Sequence, residues 1–562
     1  MPSTEVVQRP VPVPIAVPPN FPVAWQDPDD EKFTWAQDRM HNPDPLLPLE
    51  RSFWDLVYQG FNRAAEAYEM PTRVKARSIN TYYFMALAPA VLPEAMEAQG
   101  KRADARIDAA MARLGELWRG EWLPGIQAHL AWWDAFDLRG ATASDLLAHL
   151  EETLERILQL WELHFRIVLP TYMAMSQFDD LYRDLFVGEG AFRSYRLLQG
   201  FDNKTLEAGR ALWELSRRAL QSADVRRALE DHPAEAILAE LAKTSAGRAF
   251  REELRIYLEV FGLRGEKWGL SYPSWIEDPA PAIKNLRDYI ARSDQDPGAD
   301  HAKLAAERDR AVAEAREQLQ GYPQPVIERF EFLLRAAQQG AVLSEEHGFW
   351  IDFASTHRVR RVLLEIGRRL AEAHAIEQPA DVFCLTLDEL RDLVPAPIHR
   401  DHRPQVGERR AEIRHFRAVT PPPVLGTDNG PPPDDPVGRF FGKFFGGPPP
   451  ASEAPDVLRG NAGSPGKARG PAKVVRSLAD ATKLQQGDVL VAETTAPPWT
   501  PLFATAAAIV TDTGGILSHC AVVAREYRIP AVVGTGRATA AIRDGQILEV
   551  DGDAGLVRID PA

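Results

Sequence analysis

Apolar residues recur at steps of three and four through most of the chain from about residue 45 to residue 415. The clearest case is Asp145 to Leu169, where leucines, isoleucines and aromatic residues form one stripe. This spacing places the side chains on one face of a helix, with Thr142 or Ser144 as its cap and Pro170 as its predicted end. Further stretches of this kind are Ser52 to Tyr68, Asp104 to Trp118, Leu206 to Leu220, Ala246 to Phe261, His301 to Leu319, Pro325 to Gln338 and Phe349 to Ala373.

The pattern changes from Gly463 onward, where short apolar runs alternate with glycine turns. Ala508 to Val510 and Ile529 to Val533 are rich in Ile, Val and Ala, which is typical of buried strands. Between them, Ser518 to Tyr527 has helical character, and the Ser518 hydroxyl is expected to cap it by accepting an amide of the first turn. We therefore predict a multidomain protein, with a mainly α-helical domain over 46–418 and a small β/β/α domain over 467–562.

Two proline-rich segments flank the helical part. Residues 1–45 are expected to be a flexible leader, with docking on a surface as the alternative. Residues 419–466 hold three proline triplets and many glycines, a composition that favours a linker. Inside this linker, Phe440 to Phe445 is an apolar island, which we expect to dock on a domain surface because its exposure would favour aggregation.

Composition excludes several function classes. The chain has 562 residues, 45% of them hydrophobic and 26% charged, and a formal net charge of −15. This charge argues against nucleic acid or an anionic membrane as the main partner. Cys384 and Cys520 lie far apart and form no pattern of metal ligands, and we predict no metal site in the chain. No signal peptide and no apolar run of about 18 residues occurs, so a cytoplasmic location is expected.

His519 directly follows the predicted cap Ser518, at a helix start that offers free amides and a positive dipole end. Around it stands the string Thr513-Gly-Gly-x-x-Ser-His519-x-Ala-x-x-Ala-Arg525-Glu-x-x-Ile-Pro-Ala-x-x-Gly534. This string resembles the phosphohistidine signature of the swivelling domain of the dikinases. That family includes phosphoenolpyruvate synthase, pyruvate phosphate dikinase and rifamycin phosphotransferases. The resemblance implies that His519 accepts a phosphoryl group derived from ATP and passes it on.

The same loop supplies candidate phosphate ligands, because hydroxyls, free amides and a guanidinium all bind phosphate oxygens. Turn and cap chemistry is the alternative for the two hydroxyl residues, and an ion pair with Glu526 is the alternative for the arginine. The candidates are Thr513, Gly514, Gly515, Ser518 and Arg525.

Several blocks of the helical part resemble the acceptor-binding domain of rifamycin phosphotransferases and of phenylphosphate synthase-like proteins. They include Leu198 to Glu207, Phe261-Gly-Leu-Arg264-Gly and Asp381 to Thr386. Where rifamycin enzymes place a basic Arg and Lys pair, this chain has Ser344 to Gly348, which argues against that antibiotic as substrate.

No glycine-rich phosphate loop appears near the N-terminus, and the printed chain ends about forty residues after His519. The family resemblance therefore implies that ATP and Mg²⁺ are bound by a separate ATP-grasp subunit, which charges His519 with release of AMP and phosphate. Phosphoenolpyruvate synthases continue after the swivelling domain into a barrel that binds pyruvate, and the end of this chain soon after His519 argues against pyruvate as the acceptor. The organisation resembles that of the histidine-bearing subunit of phenylphosphate synthase, which implies a hetero-oligomer acting on a small phenolic compound in aromatic catabolism.

Transfer to a phenol needs a modest general base and cations that neutralise the phosphoryl group. A core or surface role is the alternative for every candidate. The candidates for acid–base and charge-neutralising roles are His347, Asp352, Arg358 and Arg361, and those for acceptor binding are Tyr83, Arg264, Lys267 and Trp350. Two further functions stay open: a split antibiotic phosphotransferase of the rifamycin type, and a phosphocarrier or regulatory protein without a small acceptor.

Overall fold

The computed structural model describes residues 12–560 except 189, 191, 292–295, 396–400, 431–435 and 448–453. The first eleven residues of the predicted leader and two of the linker's proline triplets, 431–433 and 448–450, thus lie outside the described residues. The described chain forms two compact units: residues 1–109, 131–166 and 359–438 belong to the first, and residues 110–130, 167–358 and 439–562 to the second. Within the described residues, no helix has both the length and the apolar character that crossing a membrane requires.

The helices of the chain are numbered here in chain order. They are α1 Pro48–Ala67, α2 Met96–Met111, α3 Leu114–Leu117, α4 Leu123–Asp134, α5 Ala143–Leu185, α6 Lys204–Ala219, α7 Ala223–Asp231, α8 Ala234–Leu241, α9 Ser245–Phe261, α10 Ala280–Ala291, α11 Pro297–Gln318, α12 Gln324–His347, α13 Ala354–Glu372, α14 Leu387–Leu393, α15 Arg403–Arg417, α16 Pro436–Phe445, α17 Thr500–Phe503, α18 His519–Glu526 and α19 Ala538–Ala541.

The strands form two sheets, one in each unit. They are β1 Val13–Pro14, β2 Thr34–Gln37, β3 Thr72–Ile79, β4 Tyr82–Pro89, β5 Val424–Asp428, β6 Val457–Arg459, β7 Asn461–Ser464, β8 Lys467–Val474, β9 Val489–Ala492, β10 Ala508–Thr511, β11 Ala531–Val533, β12 Ile547–Asp551 and β13 Leu556–Ile559.

The sheet of the first unit has the order β1-β5-β2-β4-β3 and is antiparallel throughout. Reading residues 46–418 as helical was therefore wrong for the hairpin β3–β4. At the tip of this hairpin, Asn80 and Thr81 both have positive φ, 48° and 68°. Two such residues match the right-handed twist of the flanking strands, which is why short hairpins use them.

The prediction of a flexible leader was also wrong for the described part of residues 1–45. Phe21 and Trp35 are fully buried and pack in one cluster with Phe84 of β4 and Leu425 of β5. The Trp35 indole N–H donates to the Asp30 carbonyl at 2.7 Å. Burial of these two large aromatic side chains holds the segment in the first unit.

Helix α5 begins as predicted, since the Thr142 hydroxyl accepts the Asp145 amide at 3.2 Å. The predicted end at Pro170 was wrong, because the helix continues to Leu185. A proline inside a helix removes the amide that would bond the carbonyl four residues earlier. That carbonyl belongs to Arg166, and the Tyr68 hydroxyl donates to it at 2.6 Å, so the lost bond is replaced.

The sheet of the second unit has eight strands in the order β6-β13-β12-β8-β9-β10-β11-β7. The two strands predicted beside His519 are confirmed as β10 and β11, which pair in parallel. The predicted helix is confirmed as α18, which begins at His519. Parallel β10 and β11 require a crossover, and α18 provides it, so the histidine lies where the chain leaves the carboxyl end of β10.

Helix α16 contains the apolar island of the predicted linker. The Phe440 ring is buried and lies 5.9 Å from the Tyr172 ring of α5, and the Phe444 ring lies 4.9 Å from it. The Lys443 ammonium donates to Asp180 at 2.7 Å and to Asp179 at 3.0 Å. The predicted docking of this island is therefore confirmed.

Candidate functional site

The site is built around the N-terminus of α18, where His519 is the first helical residue. Gly514 turns the chain after β10 with a φ of +105°, a value that L side chains rarely adopt. A side chain at position 514 would also lie 2.8 Å from the Ser518 hydroxyl. The two glycines of the motif therefore permit the tight return that places His519 at the start of the helix.

The two ring nitrogens of His519 face different partners. Nδ1 lies 3.4 Å from Oε1 of Glu345, and Nε2 lies 3.3 Å from the Thr500 hydroxyl oxygen. Only 12% of the histidine side chain is exposed. Glu345 belongs to α12 of the helical part, whereas Thr500 begins α17 in the C-terminal domain. The imidazole therefore lies in the contact between the C-terminal domain and the helices of the second unit.

Glu345 is a buried carboxyl whose second oxygen accepts the Thr205 hydroxyl at 2.8 Å. Burial alone would raise the pKa of Glu345, but His519 and the Thr205 hydroxyl outweigh that effect and lower the pKa. The group is thus a carboxylate at neutral pH. A carboxylate opposite Nδ1 favours the tautomer that carries its proton on Nδ1 and leaves a lone pair on Nε2.

Ser518 occupies the cap position of α18, but the predicted side-chain cap was wrong. Its hydroxyl makes no capping hydrogen bond, and its oxygen is buried without a hydrogen-bond partner among the described residues. The helix starts instead from the Ser518 carbonyl, which accepts the Val522 amide at 3.0 Å. A buried hydroxyl without a partner costs free energy, so this group is available to a ligand beside His519.

Two of the other predicted phosphate ligands of the loop, the Thr513 hydroxyl and the Gly515 amide, have protein partners. The Thr513 hydroxyl donates to the Glu493 carbonyl at 3.1 Å, and the Gly514 carbonyl accepts the Asn461 side-chain amide at 3.1 Å. The Gly515 amide donates to the Phe444 carbonyl at 2.8 Å. The C-terminal end of α16 thus occupies an amide that the sequence assigned to phosphate.

Arg525 holds the loop and the helix together. Its terminal nitrogens donate to the carbonyls of Gly463 at 2.7 Å and Ile516 at 3.0 Å. Its guanidinium also lies 4.2 Å from the centre of the Tyr195 ring, and burial lowers its pKa. The structure therefore places this arginine on backbone carbonyls and an aromatic face, and its predicted role in binding phosphate stays a prediction.

Other contacts extend this interface along α18. The Gly200 amide lies 3.4 Å from both carboxyl oxygens of Glu526, and Arg528 forms an ion pair with Glu307 at 2.9 Å. Burial raises the pKa of Glu526 to about 7. A cavity lies alongside this face of the helix, with Glu345 and Glu526 as its carboxyl groups and Met175, Leu198, Phe201, Leu206, Val522 and Val523 among its apolar lining residues.

Three of the predicted acceptor-domain residues surround the turn from α12 to α13. The Nδ1 atom of His347, two residues after Glu345, lies 2.7 Å from the Leu343 carbonyl. Asp352 is buried on the turn, and Arg358 donates to the Ala354 carbonyl at 2.9 Å. Trp350 is a further predicted residue near this turn, and its indole N–H donates to Glu346 at 3.2 Å. Their catalytic or binding roles stay predictions.

Arg264 and Lys267 follow α9. Nε of Arg264 donates to the Phe261 carbonyl at 3.0 Å, and its guanidinium lies 5.4 Å from the Trp275 ring centre. Burial lowers the pKa of Arg264, and Glu345 opposes that shift. The Lys267 ammonium lies 5.5 Å from the Tyr272 ring centre. Both cations thus rest on aromatic faces.

Tyr83 and Arg361 belong to the first unit. The Tyr83 hydroxyl donates to Asp55 at 2.7 Å, and its fully buried ring stacks on Tyr58. Burial is also the main reason why the pKa of Tyr83 is raised. Arg361 lies 3.6 Å from Asp134 on a half-exposed surface. Neither Glu345 nor Thr500 was among the residues predicted from the sequence. Their only signal was their position inside segments that resemble the family.

Comparison with known proteins identifies two types of domain in this chain. Residues 163–345 match the rifampicin phosphotransferase fourth domain, and residues 484–555 match the PEP-utilising enzyme mobile domain. The chain is 39% identical over 559 residues to chondramide synthase cmdD of Chondromyces crocatus, covering 97% of this chain and 14% of that protein.

Two bacterial relatives match over about three quarters of this chain. The uncharacterized phosphotransferase YvkC of Bacillus subtilis is 31% identical, with coverage of 74% of this chain and 50% of YvkC. Rifampicin phosphotransferase of Streptomyces sviceus is 30% identical, with coverage of 76% and 48%. The chain thus spans half or less of the length of these relatives. A rifampicin phosphotransferase-type domain and a mobile domain with His519 at its helix start make this chain a member of the dikinase superfamily.

Proposed function

We propose that the chain is the histidine-bearing part of an ATP-dependent phosphotransferase. His519 takes a phosphoryl group that derives from ATP, with release of AMP and phosphate, and transfers it to the hydroxyl of a small phenolic compound. The observation that carries this proposal is the position of the His519 ring, between Thr500 of the mobile domain and Glu345 of the helical part. A phosphoryl carrier needs its reactive atom at such a contact.

The first half-reaction takes place at a separate ATP-grasp subunit, which binds ATP and Mg²⁺. Nε2 of His519 attacks a phosphorus atom of ATP, the P–O bond to the leaving group breaks, and one water is consumed so that AMP and phosphate are both released. The positive end of α18 stabilises the charge that arrives on the histidine. The unpartnered Ser518 hydroxyl is positioned to donate to a phosphoryl oxygen. Nothing else in this step requires covalent chemistry from the protein, because phosphoryl transfer depends on positioning and charge neutralisation.

The second half-reaction takes place on the helical part. The cavity beside α18 is mostly apolar, and Glu345 is both one of its lining residues and the partner of His519. Such a cavity favours an uncharged acceptor with an apolar body and a single hydroxyl. A phenol meets this description, and its hydroxyl has a pKa near 10 by analogy with tyrosine, so a weak base is sufficient.

A second candidate is phosphorylation of a rifamycin-like antibiotic or another natural product. It is favoured by a specific observation, the 30% identity over 76% of this chain with a protein named rifampicin phosphotransferase. The residues Ser344 to Gly348 in place of the basic pair of those enzymes favour the phenol.

The test uses the full chain together with an ATP-grasp protein encoded near it and ATP labelled on both the β- and γ-phosphates, so that either phosphate would carry label to the histidine. We expect label on the wild-type chain, none on His519→Ala, and transfer of the label to simple phenols. Label on His519→Ala would overturn the role of this histidine. Transfer to rifamycin macrocycles and not to phenols would replace the first candidate with the second.

A further inference from the structure

The two ring nitrogens of His519 contact residues from two different parts of the protein. Thr500, next to Nε2, belongs to the same domain as the histidine and stays with it in any movement of that domain. Glu345, next to Nδ1, belongs to α12 and faces the ring only while the C-terminal domain rests on the helices. The carboxylate is therefore a partner that the histidine acquires by docking.

We propose that Glu345 makes release of the phosphoryl group from His519 depend on docking, by holding a proton on Nδ1 while Nε2 carries phosphorus. This inference rests on the proposed function, because it assumes that His519 is phosphorylated. Glu345 acts through the histidine and does not touch the transferred group, so it is a positioning residue. Thr205 in turn holds Glu345 through the 2.8 Å bond to its second oxygen.

The chemistry explains why the proton matters. If Nδ1 carries no proton, breaking the Nε2–P bond leaves an imidazolate anion, which is a poor leaving group. If Nδ1 is protonated, the same bond breaks to a neutral imidazole, and the electron pair of the N–P bond returns to Nε2. The acceptor oxygen forms the new O–P bond, and its proton passes to solvent. The Glu345 carboxylate stabilises the protonated ring, so it lowers the barrier to transfer.

The charges around Glu345 are consistent with this role. His519 and His347 both favour the ionised carboxylate, and the Thr205 hydroxyl donates to it. Arg264 attracts the Glu345 carboxylate, and Glu526 repels it when ionised. Away from this contact, the phosphorylated ring has no carboxylate opposite Nδ1, and the phosphoryl group is expected to be retained until the domain docks.

The experiment does not need the ATP-grasp partner, so it separates this inference from the proposed function. The full chain is phosphorylated chemically with phosphoramidate, and the signal of phosphorylated His519 is assigned by its loss in His519→Ala. Loss of the signal is then followed by ³¹P NMR between pH 6 and pH 10. With ¹⁵N-labelled histidine, coupling to phosphorus identifies the nitrogen that carries it.

We expect phosphorus on Nε2, and we expect the pH midpoint of phosphoryl loss to fall by about one unit in Glu345→Gln. At a pH above both midpoints the wild type then loses phosphate about tenfold faster than the variant. Thr205→Val is expected to shift the midpoint in the same direction by less, and Glu345→Asp to restore part of the shift.

Glu307→Gln is the matched control, because it removes a carboxylate from the same interface, where it pairs with Arg528 and not with the histidine. It is expected to leave the midpoint unchanged. Phosphorus on Nδ1, or equal midpoints for the wild type and Glu345→Gln, would overturn the inference. An equal shift in Glu307→Gln would also overturn it, since docking alone would then explain the effect.

Discussion

The contact between α16 and the histidine loop depends on Lys443. Its ammonium donates to the Asp180 carboxylate at 2.7 Å, to Asp179 at 3.0 Å and to the Ser176 carbonyl at 3.1 Å. The Lys443 and Phe444 carbonyls accept the amides of Leu517 and Gly515, each at 2.8 Å. Lys443→Met removes the ammonium and keeps an apolar stem, so it tests whether this anchor keeps α16 on the loop that precedes His519.

The free-energy cost of Lys443→Met depends on the hydrogen bonds that Asp179 keeps in the variant. Removing one partner of a buried ion pair costs about 3–5 kcal/mol when the other charge is left alone. Asp179 is not left alone, because the Ser194 hydroxyl donates to it at 2.6 Å and Nε of Arg183 at 3.1 Å. The loss is then closer to that of a hydrogen bond to a charged group, about 2 kcal/mol. This free energy corresponds to a roughly 30-fold larger population of detached α16.

Amide hydrogen exchange of Gly515 and Leu517 measures this population directly. Both amides should exchange about 30-fold faster in Lys443→Met, while the amides of β10 should keep their wild-type rates. Lys483→Met is the control, since it breaks a half-exposed ion pair with Asp544 in the same domain. Unchanged exchange at both loop amides in Lys443→Met would refute the reasoning, as would equally fast exchange throughout β10.

Three further predictions concern the same domain. The pKa of Glu526 is about 7 when docked, against an ordinary 4.5, so its contribution to docking is fully present below about pH 4.5 and is lost as the pH rises through 7. Protection of the Gly200 amide, corrected for base catalysis, should fall over that range, and Glu526→Gln should remove the dependence. Gly515→Ala should detach α16 and expose Phe440 to a hydrophobic dye, because the new carbon would lie 2.2 Å from the Lys443 carbonyl oxygen; unchanged dye binding would contradict this. Burial raises the pKa of Cys520 to about 12, so its reaction with iodoacetamide at pH 8 should be about a thousandfold slower than that of an ordinary thiol with a pKa of 9, and labelling at the ordinary rate would show that the core opens.

The elements that the sequence predicted well are those whose own residues determine them. The stripe of α5 follows from spacing, and the Thr142 cap lies directly at its start. The β10–α18–β11 unit follows from apolar runs, a double glycine and an ordered motif. The predicted helix end at Pro170 was wrong because the Tyr68 hydroxyl replaces the missing hydrogen bond. This tyrosine lies about a hundred positions earlier in the chain, so the sequence around Pro170 does not reveal it.

The sequence by itself was enough to predict His519 as the reactive residue, since the motif around it is local and ordered. Only the tertiary structure decided what that residue meets. Glu345 lies 174 positions before His519, and no periodicity connects them, yet the fold brings the carboxylate to 3.4 Å from Nδ1. The Gly515 amide is a second case. The sequence predicted that it binds phosphate, whereas in the structure it donates to the Phe444 carbonyl of α16. Local chemistry can be predicted from neighbouring residues, whereas the partner of a side chain across an interface depends on how distant segments pack.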